Sequence, residues 1–157
     1  MQKISPFLWF NDEAEEAAQF YTSLFKNSSM GSISRNGETG SGPVGKVMIV
    51  TFTLEGQPFI ALNGGPEFPF TPAISFLINT ETQEETDTLW EKLSEGGEEG
   101  QCGWLKDKYG VSWQVVPSIL GEMLQAPDPE KASRVMAALH QMRKIDIAAL
   151  QQAYDSV

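Results

Sequence analysis

Residues able to do chemistry are few and scattered in this 157-residue chain, which holds one His and one Cys. Imidazole is the commonest transition-metal ligand and general base, so a lone His140 excludes His-pair metal motifs and most metallohydrolase designs. Cys102 lies beside Gly103 with no His near it, which argues against a Cys–His nucleophile. One Cys also makes neither an internal disulfide nor a Cys-rich zinc site. The acids between Glu81 and Glu99 read as a solvated helix face. Neighbours such as Glu84 and Glu85 diverge on a helix and form no acid–base dyad. Gly40–Lys46 (GSGPVGK) nearly spells a phosphate-binding loop, but Val47 stands where a hydroxyl must reach Mg²⁺, and a strand rather than a helix follows.

Composition narrows the partners. Against 11 Lys+Arg stand 21 Asp+Glu, a net charge of −10, which excludes the basic stripe of a sequence-independent nucleic-acid surface. A content of 41% hydrophobic and 20% charged residues describes a folded globular protein, long enough for one core and expected to form a single domain over residues 1–157. Acids follow the short apolar N-terminus at Asp12, Glu13, Glu15 and Glu16, unlike a signal peptide, and no apolar run approaches the ~20 residues of a membrane span. The expectation is a cytoplasmic protein without membrane or nucleic-acid partners.

The elements that must position any site follow from periodicity. Ile4–Phe10 reads as a strand near an edge, tolerating Pro6. A helix follows, capped by Asp12, with Ala14, Ala17, Ala18, Tyr21, Leu24 and Phe25 at helical spacing. Asn27–Gly45 is a Gly/Ser-rich connection with a short strand at Ser32–Ser34, and Lys46–Leu54 and Pro58–Leu62 make a hairpin about Glu55-Gly56. The pattern then restarts: strand Ala73–Ile78, helix Asn79–Leu93, strand Gln101–Lys106, turn Asp107–Gly110 and strand Val111–Val116, stopped by Pro117. Asp128 caps a helix with Pro129 in its first position, and a last short helix spans Asp146–Tyr154.

This order occurs twice, so the chain reads as an internal repeat. A shift of 68 residues lays Phe10-Asn11-Asp12-Glu13 on Ile78-Asn79-Thr80-Glu81. One inserted residue puts Phe20, Tyr21 and Leu24 on Leu89, Trp90 and Leu93, and Gly56 falls on Gly110. Module one covers residues 1–65, module two 70–117 and a helical tail 128–157.

The segments PFLWF, AAQFY, QEETDTLW, CGWLKDKYGVSWQVVP and VMAALHQMRKIDIAAL resemble the PhnB-like family. That family is often labelled 3-demethylubiquinone-9 3-methyltransferase and belongs to the vicinal oxygen chelate superfamily of glyoxalases, bleomycin-resistance proteins and extradiol dioxygenases. The resemblance implies an α+β fold of paired βαβββ modules, with curved mixed sheets around a cavity, plus C-terminal helices, usually completed in a homodimer. It also implies a divalent metal held by His, Gln or Glu at four strand positions. Here those positions carry Ser5, Ile60, Ala73 and Gln114, of which Gln114 alone can ligate, whereas a Zn²⁺ or Fe²⁺ site normally needs at least three protein ligands. No metal and no cofactor is expected. The methyltransferase label finds no Gly-rich strand-to-helix nucleotide loop to support it.

Strand alternation assigns the faces. Pro6, Leu8, Phe10 and Ile74, Phe76, Ile78 form apolar sets facing the helices. The opposite, concave face carries Trp9, Thr51, Thr53, Ser75, Ser112 and Gln114 among apolar residues, which suits a small organic ligand. Trp9 and Trp104 either stack on such a ligand or fill core, and Asn63 either reaches the cavity or forms a turn. Three functional readings follow. The first is a metal-free small-molecule-binding protein. The second is an enzyme of the superfamily, with its metal completed across a dimer or with a non-metal mechanism, the labelled methyltransferase included. The third is an interaction module using the tail from Ala132 to Leu150.

Overall fold

The computed structural model describes residues 2–40 and 42–156, in two compact units, residues 1–70 and 71–157. Unit 1 holds β1 (Phe7–Phe10), α1 (Ala14–Leu24), β2 (Ser29–Arg35), β3 (Val47–Leu54) and β4 (Gln57–Asn63). Its sheet order is β1-β4-β3-β2, with β1 parallel to β4 and the other pairs antiparallel. Unit 2 repeats the plan with β5 (Ser75–Thr80), α2 (Gln83–Ser94), β6 (Glu98–Glu99), β7 (Trp104–Lys106) and β8 (Ser112–Pro117), ordered β5-β8-β7-β6. It then adds α3 (Ser118–Leu124), α4 (Pro129–Leu139) and α5 (Ile147–Asp155). The fold is α+β, built from two mixed four-stranded sheets, as the repeat implied.

Each sheet buries one face under its own helix. In unit 1, Leu8, Phe10, Val50, Phe52, Phe59 and Ala61 pack beneath Ala14, Ala17, Ala18 and Tyr21, all of them buried. Small alanines let α1 lie close on the strands, and Tyr21 fills the remaining depth beside Phe52. In unit 2 the buried set is Leu105, Trp113 and Val115 under Thr86, Leu89, Trp90 and Leu93. Both helices therefore present residues at the same spacing, and Ala14, Ala17, Ala18 and Tyr21 are equivalent to Thr86, Leu89, Trp90 and Leu93. The sequence match of Phe20, Tyr21 and Leu24 to this set had the helices out of register. The strands correct in the same sense. Ile60 pairs with Phe7 and Gln114 with Leu77, so the counterpart of Ser5 is Ser75, not Ala73.

Several boundaries moved for identifiable reasons. Asp12 does not cap α1. Asn63 does so from the end of β4: its Oδ1 accepts the Ala14 N–H at 2.8 Å, while its Nδ2 donates to the Val47 carbonyl. β2 is twice the expected length, because the hydrogen bonds of β3 hold it despite its poor strand composition. Conversely β7 is short, because Cys102 and Gly103 both adopt left-handed conformations, φ 59° and 86°. Ile74 is exposed and lies outside β5, so it does not join Phe76 and Ile78.

α3 has no counterpart among the sequence expectations. It starts directly after Pro117 and buries Leu120 and Met123 against Val135, Leu139, Ile145 and Leu150 of the following segment. Asp128 caps α4 as its sequence predicts, and Asp146, expected as the first residue of the last helix, caps α5. Among the described residues, no helix is long and apolar enough to cross a membrane.

Candidate functional site

Strand pairing places the site residues in rows. On the face of the second sheet turned away from α2, Gln114 of β8 lies between Leu77 of β5 and Trp104 of β7. The next row toward the hairpin is Ser75, Ser112 and Lys106. Gln114 Nε2 donates to Ser75 Oγ at 3.0 Å, which fixes the amide and leaves its carbonyl oxygen directed by that bond. Ser112 is buried.

The C-terminal helices turn this face into a groove of about 700 Å³. Leu77, Trp104, Gln114 and Val116 form its floor. Leu120, Gly121 and Leu124 of α3, with Leu139 of α4, wall it, and Asn79 and Glu81 continue the β5 edge. The tail is fastened to the sheet at the left-handed turn, where the Cys102 and Gly103 N–H groups donate to the Met142 and Arg143 carbonyls, both at 2.8 Å. Gln83 of α2 grips it from the other side, donating to the Ile145 carbonyl at 3.0 Å and accepting the Ile147 N–H at 2.7 Å. Lys144 reaches Asp87 at 2.9 Å. The hydrogen bonds from Gln83 and Lys144 hold the Asp87 carboxyl below its ordinary value.

The remaining predicted residues belong to the first sheet and are engaged differently. Trp9 Nε1 donates to the Gly65 carbonyl at 2.9 Å, its ring meets Phe68 edge-on, and Gly64 lies against it so closely that a Cβ there would clash. Thr51 Oγ1 accepts the Ser32 N–H at 2.8 Å and lies 3.1 Å from the Ser32 hydroxyl. Thr53 shares the open face, paired with Pro58 and Ser29. Thus Gln114, Ser75 and Ser112 come together with Trp104, whereas Trp9, Thr51 and Thr53 form a separate group within unit 1.

Asn79, Glu81 and the α3 residues were missed by sequence reading. Placing Asn79 and Glu81 in the second helix hid them. The spacing of Leu120, Met123 and Leu124 was the signal for α3, masked by Gly121 at its centre.

The donor set does not fit a superfamily-type metal centre. Ser5, Ile60 and Gln114, with either Ala73 or the structural equivalent Ser75, supply one amide and hydroxyls but no imidazole or carboxylate. Among the described residues, no group of three or more His, Cys, Asp or Glu side chains could hold a metal ion.

The sequence model of the family described as "3-demethylubiquinone-9 3-methyltransferase" matches residues 2–116. The chain belongs to this family. A PhnB protein from Bacillus cereus with the same methyltransferase description is 46% identical, the match spanning 74% of this chain and 100% of that one, with a TM-score of 0.69. A protein of Pseudomonas aeruginosa (21% identity, 74% and 98% coverage, TM-score 0.62) shares the fold. So does the fosfomycin resistance protein FosX from Listeria monocytogenes (19% identity, 80% and 98% coverage, TM-score 0.54). None of the curated proteins matches. This is a PhnB-like protein of the vicinal oxygen chelate superfamily. The family match stops at Val116, directly before α3, so the helices that wall the groove lie beyond it.

Proposed function

We propose that this PhnB-like protein binds a small, largely apolar organic molecule in the unit 2 groove without a protein-held transition metal. The observation that carries the reading is the row Leu77–Gln114–Trp104 flooring a groove of about 700 Å³, with one oriented amide among apolar and aromatic surfaces. Sites for small ligands have this composition: broad apolar contact supplies affinity and a few fixed polar groups supply orientation. Trp104 offers a ring to stack on, and Gln114, held by Ser75, offers a carbonyl oxygen and one remaining N–H. On the open face of the first sheet Trp9 and Thr51 spend their polar atoms on Gly65 and Ser32. We place the protein in the cytoplasm as a homodimer. Phe7 and Ile74, at 54% and 74% exposure, support burial of apolar surface against a second copy.

Screening small aromatic molecules by two-dimensional NMR tests the reading. The expected result is that hits move the Trp104 indole and Gln114 side-chain resonances, and that Gln114→Ala weakens them about tenfold. Hits that move only unit 1 resonances would reject the groove. Metal analysis of freshly purified protein separates this reading from an enzyme with a metal completed across the dimer. Stoichiometric Zn, Mn or Fe would overturn the metal-free assignment.

A further inference from the structure

The groove is polarised along its length. Along β5 and just past its end the groove lining runs Leu77, Asn79, Glu81, from apolar through amide to carboxylate. Ser118, the first residue of α3, donates its hydroxyl to Glu81 Oε2 at 3.1 Å, which fixes the carboxylate where β8 turns into α3. A carboxylate offers about four lone-pair sites, so this bond leaves acceptor capacity facing the groove. Among the described residues lining the groove there is no Lys, Arg or His, and Glu81 is the one carboxylate. The chain as a whole carries a net charge of −10, and Lys106 lies one row away from Gln114 on this sheet face, toward the hairpin and away from Glu81.

Resting on the groove reading above, we propose that the ligand is an apolar cation. Its hydrocarbon or aromatic body lies over Trp104 and Leu120, and its ammonium group meets Glu81. Charge complementarity favours this occupant, because an anion in the same pose would bring like charge against Glu81. Glu81 is solvent-exposed, so the selectivity is modest, about threefold to tenfold, and sensitive to salt.

The test titrates the full-length protein with phenylbutylammonium, phenylbutanol and phenylbutyrate, which share one body and differ in charge, and follows the Trp104 and Gln114 resonances. At low ionic strength the ammonium should bind about threefold to tenfold tighter than the alcohol, and the carboxylate weakest. Glu81→Gln, whose amide oxygen still accepts from Ser118, should bring the ammonium-to-alcohol ratio to one, and Asn79→Asp should raise it. Equal affinities, or a preference that survives Glu81→Gln, would overturn charge selection while leaving the groove in place if the alcohol still moves Trp104. Failure of all three probes to move Trp104 and Gln114 would overturn the groove reading as well.

Discussion

The two units share a strand–helix–strand–strand–strand plan, yet their open sheet faces end differently. In unit 1 a short connection reaches only the β1 edge, where Phe68 meets Trp9 on one face and Phe70 meets Phe10 on the other, at centroid distances of 4.9 and 5.1 Å, and β2 stays exposed. Trp9 Nε1 and Thr51 Oγ1 are engaged there by Gly65 and Ser32. In unit 2 a three-helix extension covers only part of the face, and the uncovered remainder is the groove around Gln114 and Trp104. A duplicated sheet thus yields one open face covered only at Trp9 and one face walled into a groove, depending on what the chain places over it. The two cores follow suit, alanine-rich under α1 and filled by Leu89, Trp90 and Leu93 under α2.

The largest test of this contrast removes the extension after Pro117. Hydrogen exchange should then show protection lost in β7 and β8 but retained in β1, β3 and β4, together with loss of groove binding. Retained protection in β8 would mean that unit 2 does not depend on its tail.

Glycines at the two tight turns give a sharper comparison. Gly103 and Gly56 have similar positive φ, 86° and 80°. A Cβ on Gly103 would lie 2.8 Å from Ile145 Cδ1 and 2.9 Å from the Val115 carbonyl oxygen, whereas on Gly56 the nearest atom is 3.7 Å away. Chemical denaturation should show Gly103→Ala costing about 3 kcal/mol and Gly56→Ala about 1 kcal/mol. Equal losses would show that the tail yields freely at that contact. Between these two in size lies Gln83→Ala, expected to cost about 2 kcal/mol by leaving the Ile145 carbonyl and Ile147 N–H without their shared partner.

The smallest effect is a pH dependence. The Asp87 carboxyl is held below its ordinary value in the folded protein by its hydrogen bonds to Gln83 and Lys144. A depressed carboxyl stabilises the fold above its ordinary value, and that contribution disappears as pH falls through the folded value. Acid unfolding of wild type should therefore contain a component below about pH 4 that Asp87→Asn lacks. Because Asp87 is 45% exposed, added salt should shrink it further. An identical acid profile in the variant would rule out a stabilising role for this ion pair.

Much of the frame was legible because its signals are local. Alternation along Val47–Leu54, turns at Gly56 and Gly110, and the cap at Asp128 each depend on a few adjacent residues. Less of the site was legible. Gln114, Ser75 and Ser112 were placed on one face correctly, since strand parity alone decides that. Their distance from any tail residue, and the separate fate of Trp9 and Thr51, depended on contacts between distant segments.

By itself the sequence determined the α+β repeat, the family, and a donor set too poor in imidazole and carboxylate for the superfamily's metal chemistry. Residue type and period carry those facts directly. Only the tertiary structure decided the repeat's true register, the capping of α1 by Asn63, and the walling of the second sheet by α3. Those outcomes turn on which backbone groups find partners across long chain separations, and on how closely side chains can pack once they meet.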